Sequence, residues 1–210
     1  MTHTTILQAL HWRYAGKQFD PTKTISDVDL QTILESGRLS PSAYGVEPWQ
    51  FIVINNKDIR MKLRSASYDQ SKVTDASHFI VIATRVDGKA VADELITRTA
   101  KIQGKSLDTL KDFSAMVHGA ISMHGDNAPM WLASQTYIAL GSMIQAAALL
   151  GIDAGPMEGF DSAKVDEILG LKEKNLHAVT MLALGHRGDD IYATLPKVRK
   201  TFEEAVTVIQ

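Results

Sequence analysis

The chain has 210 residues, of which 45% are hydrophobic and 22% are charged, a composition typical of a folded protein with one core. The net charge of -2 excludes the strongly basic surface that nucleic-acid-binding proteins usually carry, and the lack of cysteine excludes disulfides, cysteine-ligated zinc and a cysteine nucleophile. The first residues, MTHTTILQALHW, lack the basic segment and long apolar core of a signal peptide. We therefore predict one cytoplasmic domain over residues 1–210, with no nucleic-acid or membrane partner.

The N-terminal quarter is predicted to be helical. Apolar side chains at helical spacing predict a first helix over residues 5–14. Ser26 and Asp29 form a capping-box pattern that starts a second helix, which ends near Gly37. The turn formers of SPSAYGVEP, residues 40–48, then predict a loop.

Two apolar runs in the next part of the chain predict buried strands. Residues 49–55, WQFIVIN, form the first, and a short helix over residues 58–66 follows it. Residues 78–84, HFIVIAT, form the second strand. Residues 88–125 are predicted to be mostly helical.

The segment from Asn127 to Ile152 contains no charged residue. It is nearly long enough to cross a bilayer, but serine, threonine and glutamine interrupt it, and no basic cluster beside it would set a topology. A buried helix over residues 131–150 is therefore favoured. A helix that is apolar on most of its circumference must be covered all round, which predicts a partner subunit.

The C-terminal part adds further alternating elements. IDAGPM, residues 152–157, predicts a short strand, and a helix capped by Asp161 and stopped by Gly170 follows. Residues 177–186 predict a third strong strand, and residues 192–200 an extended tail before a last short helix. Because this order lacks regular βαβ repetition, we predict an α+β sheet flanked by helices instead of a doubly wound fold.

Searches for common catalytic motifs fail. The chain has no glycine-rich nucleotide cradle, no nucleophile-elbow serine and only scattered histidines, so no metal site is predicted. Three dispersed cationic signals remain: Arg13 with Lys17, Lys72, and Lys197 with Arg199. Each alone is more typical of a solvated surface charge. Arg13 and Lys17 would share one face if a helix carried both.

An unusual turn, GPMEGF, accompanies these cations. Pro156 fixes a backbone angle and Gly159 permits a close approach, so that backbone N–H groups around Glu158 could face a ligand. Together with R-x-x-x-K-x-F near the N-terminus, SPS…PW, DASH, the following GLKEK and ATLPK-x-R, the chain resembles the FMN-dependent nitroreductase family. Within it, the pattern is most similar to the oxygen-insensitive NAD(P)H nitroreductase and dihydropteridine reductase branch.

This resemblance implies a fold and an assembly. The family fold is an α+β homodimer with a mixed sheet, a long buried helix at the subunit interface, and FMN in the groove between subunits. The uncharged helix predicted over residues 131–150 matches that interface helix.

The resemblance also implies roles for the cations. Arg13, Lys197 and Arg199 would hold the FMN phosphate, a dianion that needs several cations. Lys17 and Lys72 would reach the ribityl chain and the pyrimidine, where a nearby ammonium stabilises the negative charge of the reduced flavin. The implied cofactor-binding set is Arg13, Tyr14, Ala15, Lys17, Ser42, Asp69, Lys72, Pro156, Met157, Glu158, Gly159, Lys197 and Arg199.

By the same resemblance, the backbone N–H groups of Glu158 and Gly159 lie near flavin N5, the atom that accepts and returns hydride. The cofactor carries this chemistry, so no side-chain acid or base is obligatory. Tyr44 and Phe113 correspond to positions along the substrate channel.

Several residues depart from the family pattern. Ala15 stands where relatives often have a serine that bonds the phosphate. Tyr44 and Gly45 replace a small polar pair, and Glu47 stands near the tryptophan. Asp69 replaces a common asparagine, and a carboxylate beside the pyrimidine would oppose flavin reduction.

These features predict an FMN-dependent enzyme that passes hydride from NAD(P)H, through the flavin, to nitroaromatics, quinones or similar planar acceptors by ping-pong turnover. Three alternatives stay open. A same-fold flavin enzyme would perform other chemistry such as reductive dehalogenation, a non-catalytic dimer would bind FMN in a regulatory role, and a flavin-free globule would make the motif match a coincidence.

Overall fold

A four-stranded sheet lies between two layers of helices in the computed structural model, which describes residues 3–210. The strands are β1 Trp49–Val53, β2 His78–Arg85, β3 Asp153–Met157 and β4 Leu176–Gly185. Their order across the sheet is β1-β2-β4-β3, with β1 and β3 at the edges. In register, Phe51 lies opposite Ile82 and Gly155 opposite Ala183.

The helices of the described chain are α1 His3–Trp12, α2 Asp27–Arg38, α3 Lys57–Ala66, α4 Lys72–Asp75, α5 Gly88–Gln103, α6 Lys111–Ser122, α7 Ala128–Leu149, α8 Ser162–Leu169 and α9 Phe202–Ala205. The Ser26 side chain accepts from the Asp29 N–H and starts α2, as predicted. Asp161 caps α8, and Gly170 ends it in the left-handed conformation. The α+β prediction is confirmed.

The two faces of the sheet bury different clusters because successive strand residues point to opposite sides. Phe79 and Val81 pack toward α3 and α8, with Leu63 and Val165. Ile80 and Ile82 pack toward α2 and α7. A third cluster joins α5, α6 and the start of α7 beyond the sheet.

The sheet differs from the expected mixed arrangement. All neighbouring strands in the described chain pair antiparallel. The parallel pairing that does occur is a single bridge between Ala15 and Ala154, next to the edge strand β3. The four strands of one protomer therefore form an antiparallel sheet and not a mixed one.

Helix α1 ends earlier than predicted. It stops at Trp12, so Arg13 and Lys17 do not share a helical face. The next residues leave the helix because they contact β3 and bury Phe19 in the core.

Helix α7 carries the uncharged segment and crosses one face of the sheet. Its inner side is buried, with Leu132, Ala139 and Met143 fully covered. Its outer side leaves Met130 and Ile138 exposed at 73% and 43%. No helix among residues 3–210 is both long and apolar enough to span a bilayer.

Candidate functional site

The loop after α1 lies directly against strand β3. The Gly16 N–H donates to the Ala154 carbonyl at 3.1 Å. Gly155 makes this approach possible, because a Cβ there would stand 2.6 Å from the Gly16 carbonyl oxygen. The loop that carries Arg13 and Lys17 is thereby held beside the strand that continues into the turn at residues 156–159.

Arg187 fixes the aromatic residues of this loop. Its guanidinium donates through Nε to Asp153 Oδ1 at 2.9 Å, and its backbone N–H donates to the other carboxylate oxygen. The guanidinium carbon lies 4.5 Å from the ring centre of Trp12 and 4.7 Å from that of Tyr14. Arg187 thus connects both rings to β3 by cation–π contacts and an ion pair.

Asp190 anchors the same loop from the C-terminal side. Its Oδ2 accepts from the Lys17 N–H at 2.7 Å, the Gln18 N–H at 3.1 Å and the Tyr14 hydroxyl at 3.0 Å. Desolvation alone would raise the pKa of Asp190, but these hydrogen bonds hold it below its usual range. Burial, followed by the bond to Asp190, raises the pKa of Tyr14, so its hydroxyl stays protonated.

The three predicted phosphate cations converge from opposite ends of the chain. The Lys197 ammonium donates to the His11 carbonyl, 186 residues away in sequence. Desolvation, and then the positive charges of Arg13, Arg199 and Arg187, lower the pKa of Lys197. Within residues 3–210, neither Arg13, Lys197 nor Arg199 forms an ion pair with a carboxylate.

Lys72 and Lys17 form a second cationic group. Lys72 lies in α4 and is only 3% exposed. Burial, followed by repulsion from Lys17, lowers the pKa of Lys72 to about 8, while the carboxylate of Asp190 acts in the opposite direction. A buried ammonium without an ion pair is destabilising unless a negative group approaches it.

The turn at residues 156–159 is fixed from both sides. The Gln70 side-chain amide donates to the Gly159 carbonyl at 2.8 Å and to the Ser67 carbonyl at 3.1 Å. On the other side, burial and a hydrogen bond with Glu158 raise the pKa of Tyr137 to about 12. Gln70, only two positions from Lys72, ties the Lys72 segment to the turn.

Asp69 does not point its charge toward these lysines. Its carboxylate accepts from Arg64 Nε at 2.7 Å, and its side chain is 82% exposed. Its backbone adopts a left-handed conformation with φ of 56°. The expected opposition between this carboxylate and a reduced flavin is therefore weakened by the ion pair with Arg64.

The remaining predicted residues lie elsewhere in the protomer. Ser42 Oγ accepts from the Glu47 N–H, and the Ala43 N–H donates to the Gln135 side chain on α7. Phe113 packs in the cluster of α5, α6 and the start of α7, which also contains Val46. No hydrogen bond among the described residues joins Ser42, Tyr44 or Phe113 to the cations or the turn.

Sequence reasoning missed Gln70, Asp153, Arg187 and Asp190. Nothing in the local pattern separates Asp190 from its neighbour Asp189, although Asp190 is buried and Asp189 exposed. The position of Arg187 just after a predicted strand was the one available signal, because strand ends often carry site residues.

Comparison with known proteins identifies the family. The model of the nitroreductase family matches residues 10–186. A Staphylococcus epidermidis protein provisionally named an NAD(P)H nitroreductase is 40% identical, over 98% of this chain and 97% of its own length, and a Staphylococcus haemolyticus protein with the same provisional name is 38% identical over 96% of each chain.

Solved structures agree in fold. A nitroreductase-like protein from Streptococcus mutans superposes with a TM-score of 0.85 at 19% identity over the whole of both chains. A protein from Exiguobacterium sibiricum, solved in complex with FMN, gives 0.80 at 21% identity over 100% of this chain and 98% of its own. Because the family model matches most of the chain and the curated relatives align over nearly its whole length, the chain belongs to the nitroreductase family.

Proposed function

We propose that the protein is a single-domain, cytoplasmic, FMN-dependent NAD(P)H oxidoreductase that acts as a homodimer. The observation that carries this proposal is the convergence of Arg13, Lys197 and Arg199, cations from both ends of the chain that form no ion pair with a described carboxylate, at the loop that packs against β3. The names of the curated relatives include NAD(P)H, and one structural neighbour was solved in complex with FMN.

The group of Arg13, Lys197 and Arg199 fits the FMN phosphate. Repulsion among these three positive charges is unfavourable when no anion is bound. A bound phosphate dianion would turn the net electrostatic interaction into an attraction. Arginine donates in a planar fork that suits phosphate oxygens. Ala15 offers its backbone N–H in place of the missing serine hydroxyl.

Lys72 and Lys17 fit the pyrimidine side of the flavin. When bound, FMN supplies a hydride acceptor and donor at N5. Lys72 keeps a positive charge in a dry position, where its attraction for developing negative charge is stronger than in water. Gln70 holds the Gly159 carbonyl and thereby orients the peptide groups of the turn.

The dimer is supported by exposed apolar surface. Met130, Tyr137 and Ile138 lie on the outer side of α7, with Gly141 one turn further along and open to close approach. The tail after α9 exposes Val208 and Ile209, and β1 presents a sheet edge. Contact with a second copy would cover these surfaces and bring its Tyr44 and Phe113 region toward the cationic half of the site.

A shared site for donor and acceptor gives the expected kinetics. NAD(P)H would bind over the turn, leave after hydride transfer, and be replaced by a nitroaromatic, a quinone or another planar acceptor. This order of binding and release predicts ping-pong kinetics, with parallel lines in double-reciprocal plots.

The direct test is rapid mixing of the purified, flavin-loaded protein with NADH and NADPH. We expect a yellow protein whose flavin absorbance bleaches with one of the donors and recovers when a quinone is added. A bound flavin that neither donor reduces would leave only the non-catalytic binder, and a colourless protein after incubation with FMN would reject flavin binding altogether.

A matched pair of variants tests the phosphate assignment. Arg199→Ala should weaken FMN binding by about tenfold to a hundredfold, as expected for losing a charge-assisted hydrogen bond. Lys200→Ala, the adjacent exposed cation, should leave it unchanged. Equal FMN affinity in both variants, measured by fluorescence titration, contradicts the assignment of Arg199.

A further inference from the structure

Arg60 is a buried cation outside the proposed flavin site. It lies in α3, is 8% exposed, and places its guanidinium 6.0 Å from the ring centre of Phe79. One terminal nitrogen donates to the Ala76 carbonyl at 2.8 Å, longer contacts of 3.4 and 3.5 Å join the terminal nitrogens to the Thr74 and Ser77 carbonyls, and the buried Nε–H has no hydrogen-bond partner. Burial is unfavourable for such a charge and lowers the pKa of Arg60.

The charge of Arg60 is not neutralised within the described chain. Asp75 is the carboxylate whose field acts on it, yet the two form no ion pair. Asp75 Oδ1 instead accepts from the Thr74 hydroxyl at 2.8 Å. Backbone carbonyl groups accept some of the hydrogen bonds of the guanidinium, but no carboxylate of the described residues contacts it.

Arg60 also lines a cleft of about 500 Å³, together with Asn55, Lys57, Met61, Thr74 and Ser77. The cleft lies where the first turn of α3 meets the end of α4. None of its residues belongs to the cofactor-binding set. Lys57 is exposed and forms no ion pair among the described residues, so its flexible side chain can place the ammonium at the opening of the cleft.

The chemistry of the walls indicates the ligand class. Two cations, one fixed and one mobile, favour an anion, and the planar guanidinium matches a carboxylate. Met61 and the methylene stems of Lys57 and Arg60 provide apolar contact for the rest of the molecule. A strongly hydrated inorganic phosphate would gain nothing from these apolar walls.

We propose that this cleft is a second ligand site, which binds a small monocarboxylate with an apolar body through Arg60 and Lys57. The carboxylate supplies the negative charge that Arg60 lacks, and the apolar body covers Met61. The site is independent of the flavin and does not rest on the proposed function.

Isothermal titration of the flavin-loaded protein with benzoate tests the proposal, with benzamide as the neutral isostere and inorganic phosphate as the hydrated anion. We expect benzoate to bind at least about tenfold more tightly than either, as one charge-assisted hydrogen bond predicts. Equal binding of benzoate and benzamide overturns the proposal.

Variants locate the binding. Lys57→Met should weaken benzoate binding about threefold without disturbing the fold, since this side chain is exposed. Arg60→Lys should weaken it about tenfold, since the fork is lost. Lys62→Met, an exposed lysine of the same helix outside the cleft, should have no effect.

The flavin absorbance shows whether benzoate has bound at the other site. Binding that leaves the flavin spectrum unchanged and is weakened by Lys57→Met supports the cleft. Binding that shifts the flavin spectrum and is the same in the Lys57→Met and Arg60→Lys variants overturns it. The same titration on flavin-free protein keeps this result separate from any failure of flavin binding.

Discussion

The two halves of the proposed cofactor site are organised in different ways. The cationic half, with Arg13, Lys72 and Lys197, is held by backbone contacts to β3 and by side chains of the same protomer. In the other half, Phe113 packs in a separate cluster with α5 and α6 that also includes Val46 of the loop that carries Tyr44. The charges that would hold the cofactor are thus arranged within one chain, while under the proposed function Tyr44 and Phe113 would reach them from a second copy.

The largest effect is expected from breaking the contact that supports the cationic half. Gly155→Val places side-chain atoms against the Gly16 carbonyl, so the loop must move away from β3. We expect a loss of about 2–4 kcal/mol in the free energy of unfolding, together with loss of FMN binding. Thermal and denaturant unfolding measure the first effect.

Gly119→Ala is the matched control for that change. Gly119 lies in α6 with open space around it, so alanine there should leave stability unchanged or raise it slightly. If Gly155→Val unfolded no more easily than this control, the loop would not depend on the glycine contact.

A charge on the outer side of α7 tests whether the half of the site that contains Tyr44 and Phe113 needs a partner subunit. Ile138→Glu should weaken dimerisation by at least about hundredfold, because a carboxylate would be buried in the proposed subunit interface. Sedimentation velocity should then show a folded monomer with impaired flavin binding. Gln31→Glu, an exposed position on α2, adds the same charge and should stay dimeric.

Substitution of Lys72 separates function from stability within the cationic half. Because its folded-state pKa of about 8 lies below the ordinary 10.5, the charged side chain destabilises the flavin-free fold at neutral pH. Lys72→Met should therefore stabilise the flavin-free protein by about 1–2 kcal/mol near neutral pH, while slowing flavin reduction.

The pH dependence of that difference provides the check. The penalty in the wild type is fully present below about pH 8 and shrinks as the pH rises toward 10.5, where an unfolded lysine also loses its proton. Unfolding measured over this interval should show the two proteins converging. A constant difference would mean that packing, not charge, separates them.

The smallest effect is expected at Asp69. Since its carboxylate pairs with Arg64 at the surface, Asp69→Asn should change stability by less than about 1 kcal/mol and shift the flavin potential little. A large rise in the potential, measured by dye equilibration, would show that Asp69 turns toward the flavin when the cofactor binds.

Much of the fold follows from local patterns. Ser26 and Asp161 are predictable as caps because serine and aspartate before a helix commonly accept from the backbone N–H three residues later. Both side chains make that bond in the structure. The uncharged segment from Asn127 to Ile152 likewise predicts a long buried helix, which the structure shows as α7. The end of α1 was misplaced because tertiary contacts of Gly16 and Phe19 override the helical spacing.

The site was predictable only in part. Cations at separate positions could be identified by their resemblance to a family pattern, but their supporting residues could not. Gln70 and Asp190 act through partners 89 and more than 170 residues away, and no local pattern encodes such a choice. The direction of Asp69 likewise depends on Arg64, five residues earlier.

The contact between Lys197 and the His11 carbonyl also constrains how the protein matures. Translation proceeds from the N-terminus, so Arg13 emerges from the ribosome long before Lys197 and Arg199 are made. The complete cationic group therefore cannot assemble until residue 199 has been made. A chain that stops before residue 197 would lack two of these three cations, however well its sheet had already folded.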